Sequence, residues 1–193
     1  IDHGTEMIEA GIWYRPRVYK KPGETMEEAY VREATAVRNS VGIVDVTSLG
    51  KIDVQGPDAA EFLNRVYANP FLKVPVGKTR YGIMLREDGY LFDDGTSWHL
   101  SENQFLMTTT TANAASVLSE LERLLTLVWP NLKVHVSSVT DQWAGMAVAG
   151  PKSRDVLVKI IDDIDFSEKA LPQMAVADGR ISNIPVKVAR LSF

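Results

Sequence analysis

The sequence predicts an α+β domain, a mixed and largely antiparallel sheet with covering helices. Stretches of strand length, alternating or continuously apolar, recur along the chain, and Asp88-Gly89 between two of them is a strong hairpin signal. Helical-period stretches are interspersed with these strands rather than gathered in one block. A strand, a Gly-Pro pair and a helix also occur in that order twice, around Gly56-Pro57 and Gly150-Pro151.

In chain order, residues 1–23 carry Trp13, Tyr14 and Tyr19 among Arg15, Arg17, Lys20 and Lys21, with Pro16 and Pro22. Proline spacing and absent periodicity predict an extended N-terminal arm packed across its own domain rather than a helix. Glu24–Ser40 reads as a helix: acids crowd its first turn, and Met26, Tyr30, Ala34 and Val37 recur at helical spacing. Gly42–Val54 alternates like a strand pair or one bent strand. Pro57 then presets a helix whose face bears Ala59, Phe62, Leu63 and Val66. Strands are predicted at Thr79–Leu85, Tyr90–His99 and Gln104–Thr109, followed by a helix from Ala112 to about Leu127 with Ala115, Leu118, Leu121, Leu125 and Val128 inward. Further strands are expected at Leu132–Val139 and Trp143–Val148, and a helix from Gly150-Pro151 to Ile161. A turn at Ala177-Asp178-Gly179 and a strand at Ile184–Leu191 complete the chain. Leu63 and Leu157 keep the same offset from their Gly-Pro pairs, as expected if one β–turn–α unit is used twice.

Composition narrows the function classes. At 193 residues there is room for one well-buried domain. With 21 basic against 25 acidic residues the chain carries no basic face suited to nucleic acid. It has no cysteine, which removes disulfides, thiolate catalysis and cysteine-held metals. His3, His99 and His135 are isolated and off metal-ligand spacing, so no metal site is expected. Neither GxGxxG, GxxxxGK nor GxSxG occurs. No apolar run approaches the roughly 18 residues of a membrane span, and the first residues are neither a signal core nor a basic leader. The expected compartment is the cytoplasm. Ile1 is not an initiator methionine and Phe193 ends within a strand-like pattern, so both ends are expected to be cuts through a longer polypeptide.

The candidate chemistry concentrates in residues 81–113. Asp93 and Asp94 are adjacent on a strand, so they point to opposite faces and only one can face a given pocket. Two readings of the pair stand. One is a strand end with two solvated acids. In the other a single acid, Asp94, lies in a partly dry pocket near Phe92 and Trp98, where it serves as a proton acceptor or binds a protonated amine. Thr108–Thr111 likewise reads either as a β-branched strand or as hydroxyls facing a polar heterocycle.

The segments VRNSVGIVDVTSLGKIDVQGPD (37–58) and GKTRYGIMLREDGYLFDD (77–94), with the second strand–Gly-Pro unit at Met146–Pro151, resemble the aminomethyltransferase (glycine cleavage T-protein) superfamily. The resemblance covers residues 24–193. The arm GIWYRPRVY, TSLGKIDVQGPDAAEFLNRVYAN and FLMTTTTANA are more similar to the folate-binding C-terminal regions of heterotetrameric sarcosine oxidase α subunits than to T-proteins proper. Residues 24–193 would then be the first part of a T-protein-like folate-binding domain, cut on its C-terminal side.

The resemblance implies a tetrahydrofolate-binding module that captures the one-carbon unit of N-methyl amine oxidation as 5,10-methylenetetrahydrofolate, together with other sarcosine oxidase subunits. Flavin and NAD would be held elsewhere in the complex. It assigns Asp94 as the catalytic acid and Leu49, Tyr81, Trp98 and Thr110 as folate-binding positions, Thr110 standing where the family has an asparagine. A pterin-holding glutamate would follow beyond Phe193, so the isolated fragment is expected to bind folate weakly and to be inactive. The alternatives are a glycine cleavage T-protein or related folate-dependent demethylase, and a non-catalytic scaffold domain.

Overall fold

A computed structural model describes residues 4–191; the expectations placed on Ile1, His3 and Phe193 lie outside them. Strands β1 (Thr5–Ala10) and β2 (Trp13–Tyr19) form an antiparallel hairpin turning at Gly11, so the predicted arm doubles back on itself. Pro16 is tolerated beside a bulge at Glu6/Met7 in this two-stranded ribbon. The hairpin is tied to helix α1 (Met26–Asn39): Arg32 Nη2 donates to Tyr19 O at 2.7 Å, Tyr19 N donates to Glu33 Oε1 at 2.8 Å, and Val18 is buried. Thr25 and Glu28 close a capping box at the start of α1. The helix forms where its apolar spacing predicts, but Ala29 is its buried residue, whereas Tyr30 and Ala34 are exposed and line an open apolar groove with Val31 and Val37.

The core is built on a five-stranded antiparallel sheet in the order β5 (Thr79–Leu85), β6 (Leu91–Ser101), β7 (Gln104–Thr109), β4 (Gly50–Gln55), β8 (His135–Ser138). The Asp88-Gly89 hairpin joins β5 to β6, with Gly89 at φ +82°. On one sheet face Ile52, Val54, Phe105 and Met107 pack against Phe62 and Leu63 of α2 (Ala59–Val66) and Val117 and Leu121 of α3 (Ala114–Arg123). The predicted helix is helical throughout: a 3-10 turn at Thr111–Asn113 leads into α3, which widens into a π-helical turn at Leu124–Val128 before Trp129. Ala115 and Val128, expected to face inward, are exposed.

The bent-strand expectation resolves into β3 (Gly42–Asp45), which pairs with β9 (Met146–Ala149) in a separate two-stranded sheet, and β4. The two Gly-Pro units do correspond. Gly56 and Gly150 have φ +141° and +110°, and a Cβ on either would strike a backbone carbonyl, at 2.0 Å (Lys133 O) and 2.4 Å (Val37 O). Helices α2 and α4 (Ser153–Leu157) both begin three residues after the glycine, but α4 ends well short of Ile161. The last expected turn is also corrected: β10 (Val176–Ile181) runs through Asp178-Gly179, and the chain reverses at Ser182-Asn183 into β11 (Ile184–Ala189). Both turn residues take positive φ, 48° and 69°, as a two-residue hairpin loop requires. Gly179 packs directly beneath the Ile164 side chain, whose Cδ1 would lie 2.6 Å from a Cβ added there.

Candidate functional site

Strand register sorts the side chains of the five-stranded sheet. Tyr81 pairs with Thr96, Ile83 with Asp94, Thr79 with Trp98, Trp98 with Leu106 and Lys51 with Thr108. By the two-residue alternation of a strand, these lie on the face opposite the Phe105–Met107 core. Asp94, Tyr81 and Trp98, three of the predicted site residues, therefore share one half-exposed surface. Leu49 precedes β4 and Thr110 follows β7; the Gly50–Thr109 pairing sets them together at the sheet end where Asp94 lies. Trp98 is four residues along β6 from Asp94, about 13 Å at strand rise.

Tyr81 donates its hydroxyl to Asp94 Oδ2 at 2.5 Å, and the carboxylate beside it pushes the tyrosine above its usual range. Asp94 Oδ1 takes no hydrogen bond from the described residues. Trp98 Nε1 donates to Thr96 Oγ1 at 2.9 Å, and that hydroxyl is 3.0 Å from Thr108 Oγ1, which also accepts from Thr96 N at 2.9 Å. The indole is thereby held in place with its N–H already committed. Gly95 makes this closeness possible: a Cβ there would fall 1.9 Å from Thr108 O.

Asp93 points into the protein, 5% exposed. It accepts from Thr110 N at 3.3 Å and Asn113 Nδ2 at 3.4 Å, while Asn113 Nδ2 also donates to Phe92 O at 2.7 Å. Burial raises its carboxyl above the usual carboxylate range against these donors. The pair is thus not two solvated acids: Asp93 anchors the turn that carries Thr110, and Asp94 faces the open surface. The threonine run divides the same way, Thr109 and Thr111 buried, Thr108 half-buried and Thr110 exposed.

Sequence reasoning missed Thr96 and Lys51 on the site face, and of the threonine run it did not single out Thr108 as the member that joins them. The available signal was parity: Thr96 and Trp98 are two and four residues from Asp94, and Lys51 is two from Leu49. Among the described residues no group of three His, Cys, Asp or Glu is placed to hold a metal ion, and no helix is long and apolar enough to cross a membrane.

The family described as "GCVT N-terminal domain" matches residues 1–193. Among curated relatives, "Sarcosine oxidase subunit alpha" of Rhizobium meliloti (strain 1021) is 54% identical over 177 residues, 91% of this chain and 18% of the relative. "Aminomethyltransferase" of Mycobacterium avium (strain 104) is 31% identical over 194 residues, 100% of this chain and 47% of the relative. The chain spans less than half the length of either. Of solved structures, the glycine cleavage system aminomethyltransferase T from Bartonella henselae superposes with a TM-score of 0.70 at 23% identity, over 82% of this chain and 40% of that one. A chain of the heterotetrameric sarcosine oxidase from Corynebacterium sp. U-96, in complex with pyrrole 2-carboxylate, superposes with a TM-score of 0.58 at 15% identity, over 84% and 78%. At these identities the structures establish the fold. Matched end to end and folded like these relatives, the chain belongs to the GCVT N-terminal domain family.

Proposed function

We propose that the open sheet face binds tetrahydrofolate, and that the domain works within a sarcosine oxidase-type α subunit, with its partner subunits, to capture a one-carbon unit as 5,10-methylenetetrahydrofolate. The observation that carries this reading is the Asp94 carboxylate, with one oxygen engaged by Tyr81 and the other taking no hydrogen bond from the described residues, on a face of aromatic rings and hydroxyls. The 54% identity to a sarcosine oxidase subunit alpha supports that setting over glycine cleavage, whose aminomethyltransferases lie near 30%.

The residues present fit a reduced pterin. A flat heterocycle rich in N–H donors suits a carboxylate acceptor flanked by aromatic surface. Leu49 supplies apolar surface at the Asp94 end. Because the Trp98 N–H is spent on Thr96, the indole offers its ring rather than a donor. When bound, tetrahydrofolate supplies the amine nitrogen that takes up the one-carbon unit. Asp94 accepts a proton at Oδ1, and Tyr81, donating to Oδ2, keeps the carboxylate turned toward the open face.

The test is Asp94→Asn in the complete polypeptide assembled with its partner subunits. Methylenetetrahydrofolate formation is expected to fall by about 10²–10⁴-fold while amine oxidation and the unfolding midpoint stay unchanged. An unaltered yield in a folded variant would assign the domain a scaffold role. Titration of the isolated domain with tetrahydrofolate checks the expectation of weak binding; micromolar affinity would overturn it.

A further inference from the structure

The open face carries a charged side chain that folate binding does not call for. Lys51, on β4 opposite Thr108, is 7% exposed. Its ammonium donates to three backbone carbonyls: Thr47 O at 2.7 Å, Leu49 O at 2.9 Å and Thr140 O at 3.3 Å. An ammonium has three N–H groups, so this set leaves it no donor for a ligand. Among the described residues no carboxylate comes within ion-pair distance; Asp141 and Asp45 act on it from farther away. A buried ammonium is costly to desolvate, and a methionine would fill similar space without that cost. What a methionine would not supply is a partner for three carbonyls from two separate segments.

Those segments are the Val46–Leu49 turn, which presents Leu49 to the site, and the stretch at Thr140. The Lys51 backbone binds the second as well, its N–H donating to Thr140 Oγ1 at 3.0 Å and its carbonyl accepting from Val139 N at 2.8 Å. Ser48 Oγ, 3.2 Å from Thr111 Oγ1, joins the turn to the segment beyond Thr110. We infer that Lys51 is a positioning residue whose ammonium knots the Thr47–Leu49 turn to the Thr140 segment and thereby fixes Leu49 at the Asp94 end of the open face. The consequence for ligand affinity rests on the tetrahydrofolate reading; the knot itself does not.

Lys51→Met and Lys51→Arg in the complete polypeptide test this with two readouts. Amide hydrogen exchange across 46–50 and 139–142 is expected to accelerate about tenfold or more in Lys51→Met, with β6 unchanged. Lys51→Arg, which keeps the charge and some of the donors, should restore part of the protection. The Kd for tetrahydrofolate should rise about tenfold in Lys51→Met, with the transfer rate at saturating folate unchanged. Unaltered exchange would overturn the knot, and a loosened turn with unaltered Kd would overturn its role in placing Leu49. Failure of both variants to fold would make Lys51 a requirement of the fold and likewise overturn the positioning role. If the unsubstituted polypeptide shows no tetrahydrofolate binding, the functional reading fails, and the exchange comparison still decides the knot.

Discussion

The two faces of the five-stranded sheet are made by the same strands and obey different rules. On one, Ile52, Val54, Phe105 and Met107 are at most 1% exposed and held by close packing against α2 and α3. On the other, Tyr81, Asp94 and Trp98 stay half-exposed, and hydrogen bonds join Tyr81 to Asp94 and Trp98 to Thr96. Strand β6 belongs to both, sending Asp93 inward and Asp94 outward. The fold and the site therefore share a backbone without sharing an energy source. The packed face supplies rigidity, and the open face can spend polar groups on preorganisation because water completes what the protein leaves unpaired.

The largest expected effect breaks the packed face. Phe105 is fully buried and stacks on His99 with ring centroids 4.1 Å apart. Phe105→Ala should cost about 3–5 kcal/mol of unfolding free energy, measured by urea denaturation. Trp98→Ala removes a larger ring from the open face and should cost clearly less, because that ring is already partly wet. Equal costs would abolish the distinction between the faces. Next comes Gly82, whose absent side chain makes room for the Tyr67 ring; a Cβ there would lie 2.6 Å from Tyr67 Cδ1. Gly82→Ala should cost about 1–3 kcal/mol by overpacking, read in the same assay.

Much of this division was legible in the sequence. Period-two alternation placed β5, β6 and β7 closely, and the Gly-Pro pairs marked both helix starts, because glycine at positive φ and proline in a first turn are local requirements. What failed depended on neighbours distant in the chain. The apolar spacing of α1 located the helix, yet no described element covers Tyr30 and Ala34. Asp178-Gly179 resembles a turn, but both residues lie in β10 with Gly179 against the Ile164 side chain, and the turn fell to Ser182-Asn183. Alternation separated Asp93 from Asp94. It gave no hint that Asp93 would be buried and bound to Thr110 and Asn113, or that the Lys51 ammonium would gather the carbonyls of Thr47, Leu49 and the distant Thr140.

Asp93 offers a subtler test of the inward side. Its carboxyl is raised above the ordinary 3.8 mainly by burial. As pH increases, the unfolded chain therefore releases this proton first, and the stability Asp93 contributes declines through the interval above 3.8. Asparagine has no such proton, although its amide would oppose the Asn113 Nδ2 donor. The destabilisation caused by Asp93→Asn should thus be larger at about pH 4 than at pH 7. Urea unfolding at both pH values measures it. A penalty that grows with pH would mean that Asp93 is stabilised as an anion, contrary to its buried placement.

The smallest expected effect on stability is on the outward side, at Tyr81. Tyr81→Phe removes the hydroxyl donated to Asp94, but the group is half-exposed and water can take its place, so stability should change by less than about 1 kcal/mol. Its consequence for the site is orientation. Without that donor the carboxylate is free to rotate, and methylenetetrahydrofolate formation in the complete polypeptide should fall by a smaller factor than in Asp94→Asn. The tyrosine's own titration gives an independent reading: held up by Asp94, it should ionise late in an ultraviolet titration and return toward the ordinary value of 10.0 when Asp94 is replaced by asparagine. If Tyr81→Phe were as damaging as Asp94→Asn, the proton would be handled by the phenol rather than the carboxylate. Tyr81, instead of orienting the acid, would then be the group the open face is built to present.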